Sequence, residues 1–295
     1  MRRPHPVELM LLGAIVLWAL NLTLSRYILT HGLLPIAYST LRYGAASLVF
    51  VVLALAWERS LRLPRTQWRW VGLAAAALWL NQIVFVYALR TTTASTVALV
   101  LGATPIFAAL LGLALGTERP SQRFWLGAAL SFAGVGLVAL GSGGEVSGDL
   151  GGILLAVVTA ATWAVYSVAI TPLMGHASAI RVSAVVLPLG WVGIAAVGVP
   201  QTLRQDWSAL GWEVWAVVAL ATLGPLVVTN VLWFRVLDRI GPSRATLATN
   251  LQPFVAAVFA VVLLSETVAW IQVAGGVLVA AGILVARRRA LVAPD

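Results

Sequence analysis

The 295-residue chain contains no cysteine, and all 19 of its basic residues are arginine, so it also has no lysine. Without cysteine there are no disulfides, no thiolate metal sites and no thiol nucleophiles. Without lysine there is no Schiff-base amine and no phosphate-loop lysine. Charge itself is scarce. Charged residues make up 10% of the chain and hydrophobic residues 61%, whereas soluble domains carry roughly 25% charge. A length of 295 suggests two soluble domains at about 150 residues each, but ten acids and 19 bases cannot coat them. With a mean hydropathy of +0.96, the chain reads as an integral membrane protein. A net charge of +9 could suit a nucleic-acid binder. In so apolar a chain, arginines at membrane-facing loops account for it better, and no nucleic-acid partner is expected. Arginine-only basicity with abundant Ala, Val, Gly and Leu points to a GC-rich bacterial genome and hence to a bacterial inner membrane. Arg2 and Arg3 before the apolar run at Leu9 imitate a secretion signal. No small-residue cleavage site follows, so this run reads as an uncleaved first span.

A membrane-crossing helix needs about 20 apolar residues. Ten segments qualify: Leu9–Ile28, Ile36–Trp57, Trp70–Leu89, Ala94–Leu115, Phe124–Leu140, Gly152–Ile170, Ala179–Val199, Val214–Val236, Ser243–Leu264 and Val268–Ala286. They are apolar all round, unlike the alternating strands of a membrane barrel. With both termini in the cytoplasm, fifteen arginines lie inside, three (Arg26, Arg90, Arg204) lie outside, and Arg42 falls within a span. That bias fixes the expected orientation. The 141–150 link carries two acids and no base, as an outside loop should.

A shift of 148 residues aligns residues 81–140 with 229–288 without a gap and with twelve identities. Among them are Ser95 with Ser243, Pro105 with Pro253, Glu118 with Glu266, Gly127 with Gly275 and Gly134 with Gly282. The chain therefore divides into two five-span repeats, 1–145 and 146–295, within one membrane domain. Five is odd, so the second repeat inserts upside down. Inverted repeats characterise secondary transporters, which bind substrate near the midplane between repeats and work by alternating access.

Several motifs resemble the drug/metabolite transporter superfamily, specifically its ten-helix EamA-like type. They are Trp18-Ala-Leu-Asn21, Arg42, Pro105 with Glu118, and the stretch Ala248-Thr-Asn-Leu-Gln-Pro253 continuing through Leu264-Ser-Glu266 to Gln272-Val-Ala-Gly-Gly276. The resemblance covers nearly the whole chain. It implies a basket of ten helices whose cavity is lined by spans 1–4 and 6–9, with spans 5 and 10 outside. It also implies export of small metabolites, amino acids among them, with one branch exporting aromatic amino acids. Small multidrug members carry a functional Glu inside their first helix, whereas Glu8 here stands at the helix start.

Polar residues matched between the repeats are the natural cavity candidates, because burying them in lipid is costly. Gln82 and Phe85 map onto Asn230 and Trp233, and Trp18 with Asn21 parallels Trp163 with Tyr166. Thr104 before Pro105 maps onto Gln252 before Pro253, with Gly102 against Asn250. Each proline frees a carbonyl one turn back, near Leu101 and Thr249, as a further ligand. Rings with amides and hydroxyls suit a zwitterion with an apolar side chain. The bland alternative is that the amides only tie helices together, at about 0.6 kcal/mol per bond. Arg42 either holds a substrate carboxylate or fixes packing through helix-end carbonyls. Glu118 and Glu266 read as structural, and the glycines of spans 5 and 10 as packing residues within one copy; the oligomeric state stays open. No span carries His, Cys or a pair of carboxylates, so neither a metal, a cofactor nor an embedded enzyme is expected. The same lack suggests a facilitator without proton coupling. Export of hydrophobic drugs or other metabolites is the alternative, and a channel is the alternative outside carriers.

Overall fold

The computed structural model describes residues 6–91, 94–141, 150–255, 258–259 and 269–287. Among these, all regular structure is helical: α1 (Pro6–Thr30), α2 (Pro35–Leu53), α3 (Trp68–Thr91), α4 (Ala94–Leu101), α5 (Thr104–Ala114), α6 (Gln122–Gly141), α7 (Leu150–Met174), α8 (Ala179–Arg204), α9 (Trp212–Thr222), α10 (Thr229–Ile240), α11 (Pro242–Thr249) and α12 (Trp270–Arg287). Seven segments are long and apolar enough to cross a membrane, and Leu99–Ala114 and Trp270–Ala286 are shorter apolar helices. These nine correspond to expected spans 1–8 and 10. Span 9 begins with α11; most of its second half, and Glu266 after it, lie outside the described residues. The chain is an all-α integral membrane protein with the ten-helix, inverted-repeat organisation.

Two expected spans are not continuous. Span 4 breaks at Gly102–Ala103, between α4 and α5, and span 9 breaks at Asn250–Leu251. The breaks are 148 residues apart and each precedes the repeat's proline, which lacks an N–H and so suits the first turn of the helix that restarts there. The two breaks also touch, since Asn250 Nδ2 donates to the Gly102 carbonyl (3.1 Å) and to Ser131 Oγ (3.0 Å). Residues equated by the repeat meet each other, which happens only beside the pseudo-twofold axis. Span 8 holds a π-helical stretch, Leu223–Val228, around Pro225 and joining α9 to α10.

The same axis runs through two other pairs. Antiparallel α6 and α12, spans 5 and 10, approach through glycine. Gly134 faces Gly275, and a Cβ on either would stand 2.7 or 2.6 Å from the other's carbonyl oxygen. Gly127 faces Gly282 likewise. Each contact is the image of the other under the 148-residue shift, so this glycine seam lies within one copy. Antiparallel α2 and α8 are stapled at both ends. The Leu34 and Ile36 N–H groups at the start of α2 donate to Gln205 Oε1 (2.8 Å) and Gln201 Oε1 (2.9 Å) of α8. At the other end Ser178 caps α8, accepting from Arg181 N–H and donating to Glu58, which also pairs with Arg181 at 2.6 Å.

Glu118 repeats this arrangement for spans 4 and 9. Gly116, with φ of +68°, ends α5, and the Gly116 and Thr117 N–H groups return to the Leu113 and Gly112 carbonyls. This Schellman turn carries Glu118 to the start of α11, where its carboxylate accepts from the Ser243 hydroxyl. A Cβ at Gly241 would meet the same carboxylate, and φ there is +76°, so glycine is required twice over.

Two outcomes follow. Gly134→Leu drives a side chain into facing backbone and is expected to cost about 1–3 kcal/mol; an unchanged thermal unfolding profile in detergent would refute the seam. Burial pushes the Glu118 carboxyl above its usual range, against the opposing pull of Ser243 and Arg244. The folded chain then holds that proton more tightly than the unfolded chain, so the residue's contribution to stability falls as pH rises between the two pKa values. Glu118→Gln is expected to flatten that slope in detergent melts at graded pH; an unaltered slope contradicts the assignment.

Candidate functional site

Three tryptophans from three different spans meet inside the bundle. Trp18 of α1 stands edge-on to Trp163 of α7 (5.6 Å between ring centroids) and to Trp233 of α10 (5.0 Å). Trp163 and Trp233 lie nearly parallel at 6.2 Å. Tyr166 extends the group, 5.4 Å from Trp163 and 6.1 Å from Phe234. Trp233 is fully enclosed, while Trp18 and Trp163 keep part of their surface exposed. Such edge-on and offset rings complement each other's quadrupoles. Among the described residues the Trp233 indole N–H has no partner, and the Tyr166 hydroxyl lies beside Asn230 without a hydrogen bond of ordinary geometry. The π-helical stretch ends immediately before Thr229 and Asn230, and such irregularities gather at functional sites.

A polar thread leaves the tryptophans along α1. Asn21 is one turn beyond Trp18, and its Oδ1 accepts from Ser25 Oγ at 3.5 Å. The Ser25 hydroxyl lies 3.4 Å from the Tyr38 hydroxyl of α2, and the Arg42 guanidinium stands over the Tyr38 ring, 5.7 Å from its centroid. Arg42 is 9% exposed, and its Nε has no partner. Among the described residues the one salt bridge is Arg181–Glu58, so no acid balances Arg42. From Trp18 to Ser25 the rise is about 10 Å. A cationic end and an aromatic end are thus joined by hydroxyls and an amide. Tyr38 and Ser25 were not among the expected residues, although each stands four positions from one that was, Arg42 and Asn21, on the same helical face.

The other expected residues go elsewhere. Gln82 is half-buried, and its Nε2 donates to Asn81 Oδ1 (3.3 Å). Asn81, not anticipated, makes the contact between spans, donating to the Thr159 carbonyl (2.8 Å) and Thr162 Oγ1 (3.2 Å) of α7. Asn230 donates to Ser183 Oγ (3.2 Å), which ties α10 to α8. Phe85 packs with Ala88, Val97 and Ala156, apart from the tryptophans. Thr104, Pro105 and Asn250 belong to the break at the axis, and Gln252 with Pro253 starts the short helical turn after it. The carbonyl expected to be free at Leu101 is occupied by Thr104 Oγ1 at 2.6 Å. Eleven of the fourteen candidates therefore form two groups: Trp18, Asn21, Arg42, Trp163, Tyr166 and Trp233 along one path, and the proline-break residues at the axis. Gln82, Phe85 and Asn230 pack between helices.

Known proteins can now be set beside this geometry. Residues 5–140 and 150–288 each match the EamA-like transporter family. The uncharacterized transporter YyaM of Bacillus subtilis is 23% identical over 95% of this chain and 93% of its own length. An uncharacterized transporter of Archaeoglobus fulgidus is 27% identical over 77% of this chain and 79% of its own. A solved crystal structure, 22% identical, superposes with a TM-score of 0.76 over 95% of this chain and 96% of that one, a likeness of fold.

Removing the Trp163 ring takes away three aromatic contacts, to Trp18, Tyr166 and Trp233, worth about 0.5–1.5 kcal/mol each. Trp163→Ala is expected to reduce transport several-fold at unchanged membrane expression, whereas Phe85→Leu is expected to leave transport near wild type. Equal effects of the two in a vesicle uptake assay would contradict the assignment of the path.

Proposed function

The chain belongs to the EamA-like transporter family, and from that premise we propose that it exports amino acids, aromatic ones included, across a bacterial inner membrane. The observation that carries this reading is the path from Arg42 to the tryptophans. A buried cation without an acid partner is costly alone and is relieved by a ligand carboxylate, with which it makes a charge-assisted bond. The exposed faces of Trp18 and Trp163 then receive an aromatic or aliphatic side chain, and Asn21 with the Ser25 and Tyr38 hydroxyls faces the ammonium and carboxylate between them. The two sequence repeats, 1–145 and 146–295, are the units that move against each other in alternating access, with both termini in the cytoplasm.

Transport is read as facilitative. Among the described residues, Glu8 and Glu213 lie in first helical turns, Asp238 in a last turn, Glu58 at a helix end, and Glu118 and Asp206 in connections. His31 and His176 follow helix ends. None of them stands on the path between Arg42 and the tryptophans.

The test uses proteoliposomes loaded with phenylalanine, threonine or an uncharged aromatic drug. Expected are counterflow of phenylalanine, stimulated by substrate on the far side, and an apparent affinity weakened roughly 10–150-fold by Arg42→Gln, the effect of losing a charged hydrogen bond. Drug efflux unaffected by Arg42→Gln would favour the hydrophobic-drug alternative. Flux without stimulation from the far side would favour a channel. Uphill accumulation after an imposed pH step would overturn the facilitative reading.

A further inference from the structure

Beside the α2–α8 pair, at the end where Glu58 meets Arg181, a cavity of about 790 Å³ opens on the protein surface. Its walls are apolar: Val51 of α2, Leu61 and Leu63 of the α2–α3 connection, and Val185, Pro188 and Leu189 of α8. Its rim carries Arg62, Arg65 and Trp68. Trp68 and Leu189 are about half exposed, so the mouth is open at the surface of the bundle. The volume falls within the range of about 300–1,000 Å³ typical of ligand sites.

The charge at this rim is one-signed. Arg59, Arg62, Arg65 and Arg69 fall within eleven residues. The nearest acid in sequence, Glu58, is already occupied by Arg181 and by the Ser178 hydroxyl. Arg69 lies over the Trp70 ring at 5.2 Å. Arg62 and Arg65 have no carboxylate among the described residues. Two guanidinium groups without a carboxylate among the described residues and an exposed tryptophan thus stand at an apolar trough, and arginine forks suit phosphate oxygens.

We propose that this cavity is a binding site for one anionic phospholipid, its phosphate held by Arg62 and Arg65 and an acyl chain laid in the Val51–Val185–Leu189 trough. Basic pockets between membrane helices recognise lipid headgroups in this way. The site lies apart from the path between Arg42 and Trp18, and its occupancy does not depend on which substrate is carried. The lipid fills the gap between the α2–α3 connection and α8, and so braces the stapled end of that pair.

The full chain in detergent would be titrated with phosphatidylglycerol and phosphatidylcholine, with retained lipid counted by native mass spectrometry and stability followed by thermal unfolding. Wild type is expected to prefer phosphatidylglycerol. The double variant Arg62→Gln/Arg65→Gln is expected to lose about thirtyfold of that preference, the effect of two surface arginines. Leu189→Trp, which fills the trough without altering charge, is expected to weaken retention of the same lipid. Arg235→Gln/Arg239→Gln removes two exposed charges elsewhere and is expected to change nothing. An equal loss in Arg235→Gln/Arg239→Gln, no preference in wild type, or equal stabilisation by glycerol phosphate without acyl chains would each overturn the proposal.

Discussion

Helices in lipid gain nothing from burying apolar surface against one another, since the surrounding tails are as apolar as leucine. What holds this bundle together is close antiparallel pairing across a pseudo-twofold axis. Repeat-equivalent helices lie beside each other there, so a contact whose residues recur in both repeats occurs twice. The glycine seam has this form: Gly127 against Gly282 is the image of Gly275 against Gly134. The bond from Asn250 to Gly102 lies so near the axis that it joins a position to its own equivalent. One favourable residue choice therefore acts at two places.

The same pairing satisfies helix ends, which lipid cannot do. The start of α2 is capped by glutamines from the end of α8, and the start of α8 is reached by Glu58 just past the end of α2. The start of α11 receives Glu118 from the end of α5. In each case the C-terminal end of one helix serves the N-terminus of its antiparallel neighbour, where the helix dipole favours a negative group. This explains why the few carboxylates cluster at helix ends. Their position follows from capping, and it leaves the interior to rings, amides and one arginine.

Much of this was legible in the sequence. The spans were, because twenty apolar residues bounded by arginine admit one reading. The repeat was, because Pro105, Glu118, Gly127 and Gly134 recur in one register. The breaks at Gly102 and Asn250 were not, since an apolar run conceals a turn whose polar groups are satisfied by partners distant in sequence. The choice between Asn81 and Gln82 was also hidden. Adjacent amides differ by about 100° around a helix, and only the placement of α7 decides which one meets Thr159 and Thr162. Tyr38 lay within reach, since its spacing of four from Arg42 puts both on one face, but a tyrosine in an aromatic-rich span carries no signal until its cationic neighbour is taken as the reference.

The position of Arg42 ties these threads together. The amides and the threonine followed through the bundle have uses within the fold: Asn81 and Asn230 tie helices, Asn250 holds the axis, and Thr104 repairs a proline break. Among the described residues, Arg42 has a ring beneath it, an Nε without a partner, and no acid. A cation that merely fixed packing would be expected to fill its donors with helix-end carbonyls, because an unfilled charged donor in lipid costs more than the packing returns. An incompletely filled guanidinium persists where something else fills it for part of the time. Under the export proposed above, that something is the carboxylate of the cargo, and a site of this kind would be closed to solutes that bring no negative group.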